Sequence, residues 1–372
     1  MKETILAKSY LEVDLSAISN NIKMIKKCVG DNVTIAPVIK ANAYGIGTSG
    51  LKEVFEKEKI HVVVVATIEE GIKLRGQGYK QEIITLNELL PYEAKKVVEY
   101  ELVPGVSDLE VAFKLNRYAV MADKTIKIHV EVDTGMGRVG KKPEEVWDFV
   151  KEMSKLSNIE IEGIYTHFSS ADCDDKYTKM QVEKFNSVLD ELEKEGFYFK
   201  YIHSSASSGI INVKNARCNM VRPGIILYGY MPNEKMENTI GLKPTTKLIS
   251  HVIFVKEVEK GTSIGYSRSY ITKEKRKVAT IPLGYADGIR RALSNKGRVY
   301  INGKYADIIG NICMDNFMAD VTGIDVKVGD EVVIWDNKNI TVEEIADICD
   351  TINYEILCGI SDRVGRIYIN KI

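Results

Sequence analysis

From residue 33 to about 230 the chain alternates short apolar runs with amphipathic segments, and this alternation restricts the fold more than any other feature. The runs lie at 34–40, 62–66, 82–86, 102–106, 126–133, 159–168, 200–204 and 220–228, giving eight strand candidates. Helical patterns separate them. One begins at Pro143, where a missing N–H costs nothing because a first helical position has no partner for it. Another amphipathic helix, over 16–28, precedes the first strand. Eight strands alternating with helices predict an α/β fold, an eight-stranded parallel (β/α)8 barrel with its active site at the carboxyl ends of the strands. A doubly wound open sheet is the structural competitor, but the count of eight strand candidates favours the barrel.

Near residue 240 the pattern changes. Strand candidates at 246–258, 278–282, 298–301, 306–314 and 331–335 are separated by turns such as Asn302-Gly303, and one helix pattern, 341–350, interrupts them. At 372 residues the chain is long for one core. The expected division is a barrel domain over 1–240 and a mostly-β C-terminal domain over 241–372.

Charge narrows the class of partner. Net charge is −1 with no long run of one sign, so neither nucleic acid nor an anionic membrane surface is expected. No apolar stretch approaches the roughly 20 residues that span a bilayer. Met1-Lys2-Glu3-Thr4 lacks the apolar core of a signal peptide, so a cytoplasmic protein is expected. The six cysteines form no CxxC pair, which argues for reduced thiols rather than a zinc ribbon or disulfide framework.

Three segments carry candidate chemistry. An apolar strand ending in Lys40 places an amine at the barrel mouth, where a partly desolvated lysine loses its proton more readily and can form an imine. A snorkelling strand-end lysine has the same pattern. The cluster Ser204-Ser205-Ala206-Ser207 follows the seventh strand candidate, and Arg222-Pro223-Gly224-Ile225 lies in the eighth. Barrel enzymes often bind phosphate with the loops after these strands, although serine clusters alone also make turns. Together with Lys40 they read as a cradle for pyridoxal phosphate (PLP). Asp133-Thr134-Gly135-Met136-Gly137-Arg138 closes the fifth strand candidate, and an arginine there suits bidentate capture of a substrate carboxylate. Along that strand Lys127, His129, Glu131 and Asp133 share one face.

KANAYG at 40–45, DTGMGR at 133–138, THF at 166–168, RPGI with LYG at 222–229, GYSRSY at 265–270, GYADG at 284–288, ICMD at 312–315 and NYEILC onward from 353 occur in order. Over nearly the whole length this chain resembles the alanine racemase family. The resemblance implies that Lys40 carries PLP as a Schiff base and is the base for the D-enantiomer. It implies that Tyr266 is the opposite-face base for the L-enantiomer, supplied by the partner subunit of a homodimer. His167 resembles the residue that hydrogen-bonds this tyrosine, whose unperturbed pKa of about 10 makes it a poor base without help. Arg222 resembles the arginine at the pyridine nitrogen; because guanidinium keeps its proton, that nitrogen stays unprotonated, which favours proton exchange over transamination. Tyr44, Ser205, Gly224, Ile225 and Tyr354 match phosphate contacts. Arg138 and, from the partner, Met314 match carboxylate contacts. Tyr354 also implies a small side-chain pocket. Cys313, Asp315 and Tyr285 belong to the same motifs as supporting residues. The implied reaction is L-alanine to D-alanine interconversion, supplying D-alanine for peptidoglycan, with no metal.

Four positions depart from the family; Ile46, where a histidine is common, and Gly365, where a proline is common, have no derivable consequence, and the other two do. Many relatives carry a carbamylated lysine where Glu131 stands, so Glu131 is expected to supply that anion directly and to pair with Arg138. Asn311 stands where an arginine often pairs with an aspartate at the entrance, while Asp172 still matches the aspartate. A broader racemase acting on serine or lysine is therefore an alternative. A barrel PLP decarboxylase is a second, disfavoured because Arg222 replaces the acid such enzymes present to the coenzyme. A non-catalytic PLP carrier would lack the β-rich second domain.

Overall fold

The computed structural model describes residues 7–214, 216 and 218–371, so the expectation drawn from Met1–Thr4 lies outside the described residues. The chain divides into two compact units. One takes Ser19–Ala43 and Thr48–Lys243; the other takes the chain up to Ile18, Tyr44–Gly47 and everything from Pro244 onward. Strand β1 (Tyr10–Asp14) belongs to the second unit.

The first unit is built on parallel pairing. Strands β3 (Val62–Val65), β4 (Glu82–Thr85), β5 (Val103–Val106), β6 (Ile126–Glu131), β7 (Ile159–Tyr165) and β8 (Tyr201–His203) form a six-stranded parallel sheet in sequence order. Strand β2 (Thr34–Ile35) pairs in parallel with β9 (Met220–Val221). The Val62–Val65 run is buried at every residue, as expected of a strand covered on both faces. Further backbone bonds join the pieces. Ile39 N donates to Val64 O at 2.8 Å and Val64 N to Pro37 O at 2.9 Å; Asn219 N donates to Ile202 O at 3.1 Å and Arg222 N to Ser205 O at 2.9 Å.

Helices start where the sequence offers caps. Ile68–Gly76 begins with a capping box between Thr67 and Glu70, Leu109–Met121 is capped by Asp108, and Asp175–Lys194 by Asp174. The pattern starting at Pro143 opens as a 3-10 turn, Pro143–Glu145, and runs into the helix Val146–Met153. Two strand candidates are much shorter than expected. The 34–40 run is a continuous strand only at Thr34–Ile35 and then pairs through an isolated bridge between Val38 and Val64. The 220–228 run stops at Val221, before Pro223, and Ile225–Tyr228 is a 3-10 turn.

The second unit is mostly β, as expected. It contains β10 (Thr246–His251), β11 (Phe254–Val258), β12 (Ser263–Ile264), β13 (Tyr270–Ile271), β14 (Arg276–Ile281), β15 (Arg298–Ile301), β16 (Lys304–Ile309), β17 (Phe317–Asp320), β18 (Glu331–Trp335) and β19 (Gly365–Ile369). Nine strands form one sheet in the order β11-β14-β17-β16-β15-β18-β10-β1-β19, while β12 and β13 pair separately. The β15–β16 hairpin turns at Asn302 and Gly303, whose φ values of 47° and 84° explain the Asn-Gly choice. No helix among the described residues is long and apolar enough to cross a membrane.

Candidate active site

The site grows from the end of the 34–39 segment. Val38 N donates to Pro223 O at 2.8 Å, so this segment is held between β3 and the chain that follows β9. Immediately after Lys40 the backbone turns left-handed: Ala41, Asn42, Ala43 and Tyr44 have φ of 51°, 53°, 56° and 55°. None is glycine, and each such residue costs on the order of 1–2 kcal/mol. Tertiary bonds hold the turn. Glu70 Oε1 accepts from Ala41 N at 2.6 Å while its Oε2 accepts from Ala66 N at 2.8 Å, and Asn42 Oδ1 accepts from Thr48 N at 3.2 Å. Strain concentrated at the lysine proposed for chemistry is the pattern expected of a functional site.

Arg222 follows β9, next to Pro223, whose carbonyl bonds Val38; it is 1% exposed, and among the described residues no carboxylate is bonded to it. Its Nη1 donates to His203 Nδ1 at 2.5 Å; its Nη2 donates to Thr166 O at 3.0 Å, Ser204 O at 3.3 Å and His167 Nδ1 at 3.2 Å. Arginine has no acceptor, so both histidines must present an unprotonated Nδ1. Loss of solvent, followed by the charges of Arg222, Arg138 and Lys40, pulls the His167 pKa down to about 3. His167 is therefore neutral at ordinary pH, with its proton on Nε2.

Asp133 shapes the turn that carries Arg138. Its Oδ1 accepts from Gly135 N at 3.0 Å, Met136 N at 2.9 Å and Gly137 N at 3.0 Å. Gln181 ties this turn to the end of β7, donating through Nε2 to Thr134 Oγ1 and to His167 O, both at 3.2 Å. Glu131 does not form the expected pair with Arg138. Among the described residues no ion pair joins them; Glu131 Oε2 instead accepts from Tyr165 Oη at 2.7 Å. The tyrosine reaches Glu131 from the adjacent strand, whereas Arg138 is exposed on the turn beyond. Arg138 still acts through space, with Arg222, to lower a carboxyl that burial raises to about 7.

In the same unit Ser205 is buried, Ser207 Oγ accepts from Gly224 N at 3.0 Å, and buried Ile225 opens the 3-10 turn. Asp172 Oδ2 accepts from Asn233 Nδ2 at 3.3 Å. The other unit holds Tyr44, Tyr266, Tyr285, Cys313, Met314, Asp315 and Tyr354. There the Tyr44 and Tyr354 rings lie 6.0 Å apart, and burial, then Tyr354 and Cys358, raises the Tyr44 phenol. Tyr266 and Met314 are 70% and 52% exposed. Asn311 Nδ2 donates to Tyr266 O at 2.9 Å, and Asp315 pairs with Arg363 at 2.8 Å.

Sequence reasoning noted His129 only as one member of a strand face and missed His203, Tyr165, Gln181 and Glu70. For His203 and Tyr165 a signal existed. Polar side chains ending otherwise apolar parallel strands must find one another or a ligand.

Residues 13–232 match the family "Alanine racemase, N-terminal domain" and residues 245–368 match "Alanine racemase, C-terminal domain". An alanine racemase of Halothermothrix orenii is 45% identical over 377 residues, covering 100% of both chains. The structure of alanine racemase from Clostridium difficile 630 superposes with a TM-score of 0.95 at 37% identity, covering 99% of this chain and 98% of that one. Alanine racemase from Bartonella henselae, solved with covalently bound pyridoxal phosphate, gives 0.87 at 29% identity, covering 98% and 100%. Matched along both halves by sequence and by fold, the chain is an isomerase that belongs to the alanine racemase family.

Proposed function

We propose that this chain is a PLP-dependent racemase that interconverts L- and D-alanine with two bases, Lys40 and Tyr266, in a homodimer with shared sites. The observation that carries the reading is buried Arg222 donating to His203, His167 and two main-chain carbonyls, in the same unit as Lys40, after which the backbone turns left-handed. That donor set fits the coenzyme. Lys40 offers an amine for covalent attachment, and Arg222 is a buried guanidinium bonded, among the described residues, to neutral acceptors, suited to a ring nitrogen's lone pair. The small-residue turn with Ser205, and the neighbouring Gly224 and Ile225, would hold the phosphate with Tyr44 and Tyr354. When bound, the coenzyme supplies the electron sink that makes the substrate Cα–H acidic.

The chain's own groups then orient and move the proton. Arg138 and Met314 bind the substrate carboxylate. Lys40 Nζ removes or returns the Cα proton on one face, and Tyr266 Oη serves the other. His167, with Nδ1 committed to Arg222, offers Nε2–H to stabilise the tyrosine as phenolate. The exposure of Tyr266 and Met314 suits residues that complete a neighbouring subunit's site. We further propose that β2 to β9 close into an eight-stranded barrel, supported by the backbone bonds at Ile39, Val64, Asn219 and Arg222. The domain division is placed near residue 240. The amino acid is proposed to be made in the cytoplasm for peptidoglycan, on the family's account.

The test is spectroscopic. Purified protein should absorb in the band of a lysine-bound coenzyme, and borohydride should fix the label on the peptide containing Lys40. Colourless protein that takes up no PLP, together with a Lys40→Ala variant that still racemises alanine, would overturn the reading.

A further inference from the structure

Behind Arg222 lies a second set of buried groups that the proposed mechanism does not use. His203 Nε2 and His129 Nδ1 are 2.8 Å apart, and both rings are fully buried. On the far side of His129, its Nε2 faces Glu162 Oε2 at 3.9 Å. Glu82 lies beside them, and ligand atoms of Glu82, His129 and Glu162 fall within 4.8 Å of one another. Glu82 Oε1, His129 Nε2 and Glu162 Oε2 are buried without a hydrogen-bond partner. One histidine and two carboxylates at this spacing would suit a divalent metal.

The polarity of the chain leading to His129 excludes that use. Arg222 can only donate, so His203 Nδ1 accepts and His203 carries its proton on Nε2. His203 Nε2–H then donates to His129 Nδ1, which leaves the proton of His129 on Nε2. A metal at Nε2 would require the opposite tautomer along the whole row and would set two N–H groups against each other at Arg222. Charge gives the same answer. Lys127 Nζ lies 2.6 Å from Glu162 Oε1 and 3.2 Å from Glu82 Oε2, and Lys200 Nζ lies 2.8 Å from Glu162 Oε1. Two ammonium groups already balance the two carboxylates.

We propose that His129 and Glu162 are positioning residues for Arg222: a one-way row of hydrogen bonds runs Arg222 to His203 to His129, and the Glu162 carboxylate faces its far end across 3.9 Å. The proposal rests on the reading of Arg222 as the group facing the coenzyme ring. Arg222 fixes the direction from one end, and the Glu162 carboxylate, 3.9 Å from His129 Nε2, favours the N–H on that nitrogen by charge from the other. That form presents a lone pair to His203, which in turn presents one to Arg222. The surrounding packing is specific to this row. The Tyr165 ring stacks on His203 at 4.7 Å with an interplanar angle of 6°, which fixes the imidazole plane. A Cβ on Gly163 would sit 2.6 Å from His129 Cε1, so only glycine leaves room for that ring.

Histidine side-chain nitrogen NMR on the purified holoenzyme tests the proposal without any variant. His203 and His129 should both be Nε2–H tautomers, with no titration from about pH 6 to about pH 9 and no change on adding zinc chloride. A proton on His129 Nδ1, or zinc displacing its resonances, would overturn the assignment. In His129→Leu, His203 Nε2–H should lose its acceptor and shift its nitrogen resonance, and kcat for alanine should fall about tenfold with KM little changed. His129→Gln keeps one acceptor and one donor and should recover most of the rate. A leucine variant with unchanged rate and unchanged His203 nitrogen resonances would remove the positioning role. Absence of bound PLP in the same sample would count against the cofactor reading, whereas the tautomers report on the row itself.

Discussion

The hydroxyl of Tyr165 donates to Glu131 Oε2 at 2.7 Å, and both residues are buried. Burial raises that carboxyl to about 7 against the opposing influence of Tyr165, Arg222 and Arg138. A carboxyl raised on folding holds its proton more tightly in the native state. Its stabilising contribution is therefore complete below the ordinary glutamate range and is lost as pH rises through about 7. Glu131→Gln keeps an acceptor for the tyrosine but buries no charge. Relative to wild type, its stability from urea midpoints should improve by about 2–3 kcal/mol between roughly pH 4.5 and pH 8.5. A difference that stays flat over that interval would mean that Glu131 ionises in the usual range.

Gly284 lies where the backbone carbonyls of Cys313 and Met314 would collide with any Cβ. The same contact is stitched by Tyr285 N donating to Cys313 O and Ala286 N to Met314 O, each at 3.0 Å. A carbonyl in a bonded turn cannot move aside as the end of a flexible side chain can. Gly284→Ala should therefore cost about 1–3 kcal/mol and displace Met314. Calorimetry should show a lowered Tm, and KM for alanine should rise more than kcat falls. A variant with native Tm would show that the turn relaxes freely.

The eight apolar runs were readable because parallel strands covered on both faces lose the polar alternation that marks exposed ones. Strand β1 escaped notice. Its five residues carry little pattern, and it is placed by β10 and β19, which come more than 230 residues later. The left-handed turn after Lys40 was also hidden, since Ala-Asn-Ala-Tyr has no glycine to announce positive φ and the bond from Glu70 comes from another element. Within the site, Lys40, Arg138, His167 and Arg222 could be found from motifs. The Glu131–Arg138 pair was expected from spacing along one strand, but Tyr165 on the neighbouring strand took the carboxylate, a competition visible only across the ladder.

Asn311 is tied to Tyr266 through the main-chain carbonyl rather than through a charge, at 2.9 Å. Asp172, its expected counterpart at the entrance, accepts from Asn233 in its own unit. An entrance lacking an arginine–aspartate pair should discriminate less against larger side chains, so slow but measurable racemisation of serine and lysine is expected beside alanine. Asn311→Ala would free the Tyr266 carbonyl, and alanine turnover should fall several-fold, as for one lost hydrogen bond of about 1 kcal/mol. Strict alanine selectivity in the wild type would show that the entrance is closed by other groups.

Tyr266 and Lys40 are assigned to opposite faces, so removing one phenol oxygen should affect the two enantiomers unequally. In Tyr266→Phe, Lys40 can still exchange the Cα proton of D-alanine with solvent deuterium, because that step needs only the lysine face. Delivery to the other face has no donor, so net racemisation should fall by about 10²–10⁴, the usual worth of a positioned acid–base group. L-alanine should lose its exchange along with its turnover. His167→Gln should produce a weaker version of the same asymmetry, since the neutral imidazole offers Nε2–H to the phenolate while its Nδ1 is held by Arg222 at 3.2 Å. Deuterium incorporation into each enantiomer, followed by proton NMR, distinguishes the outcomes. Equal exchange into both enantiomers in Tyr266→Phe would mean that a single base serves both faces.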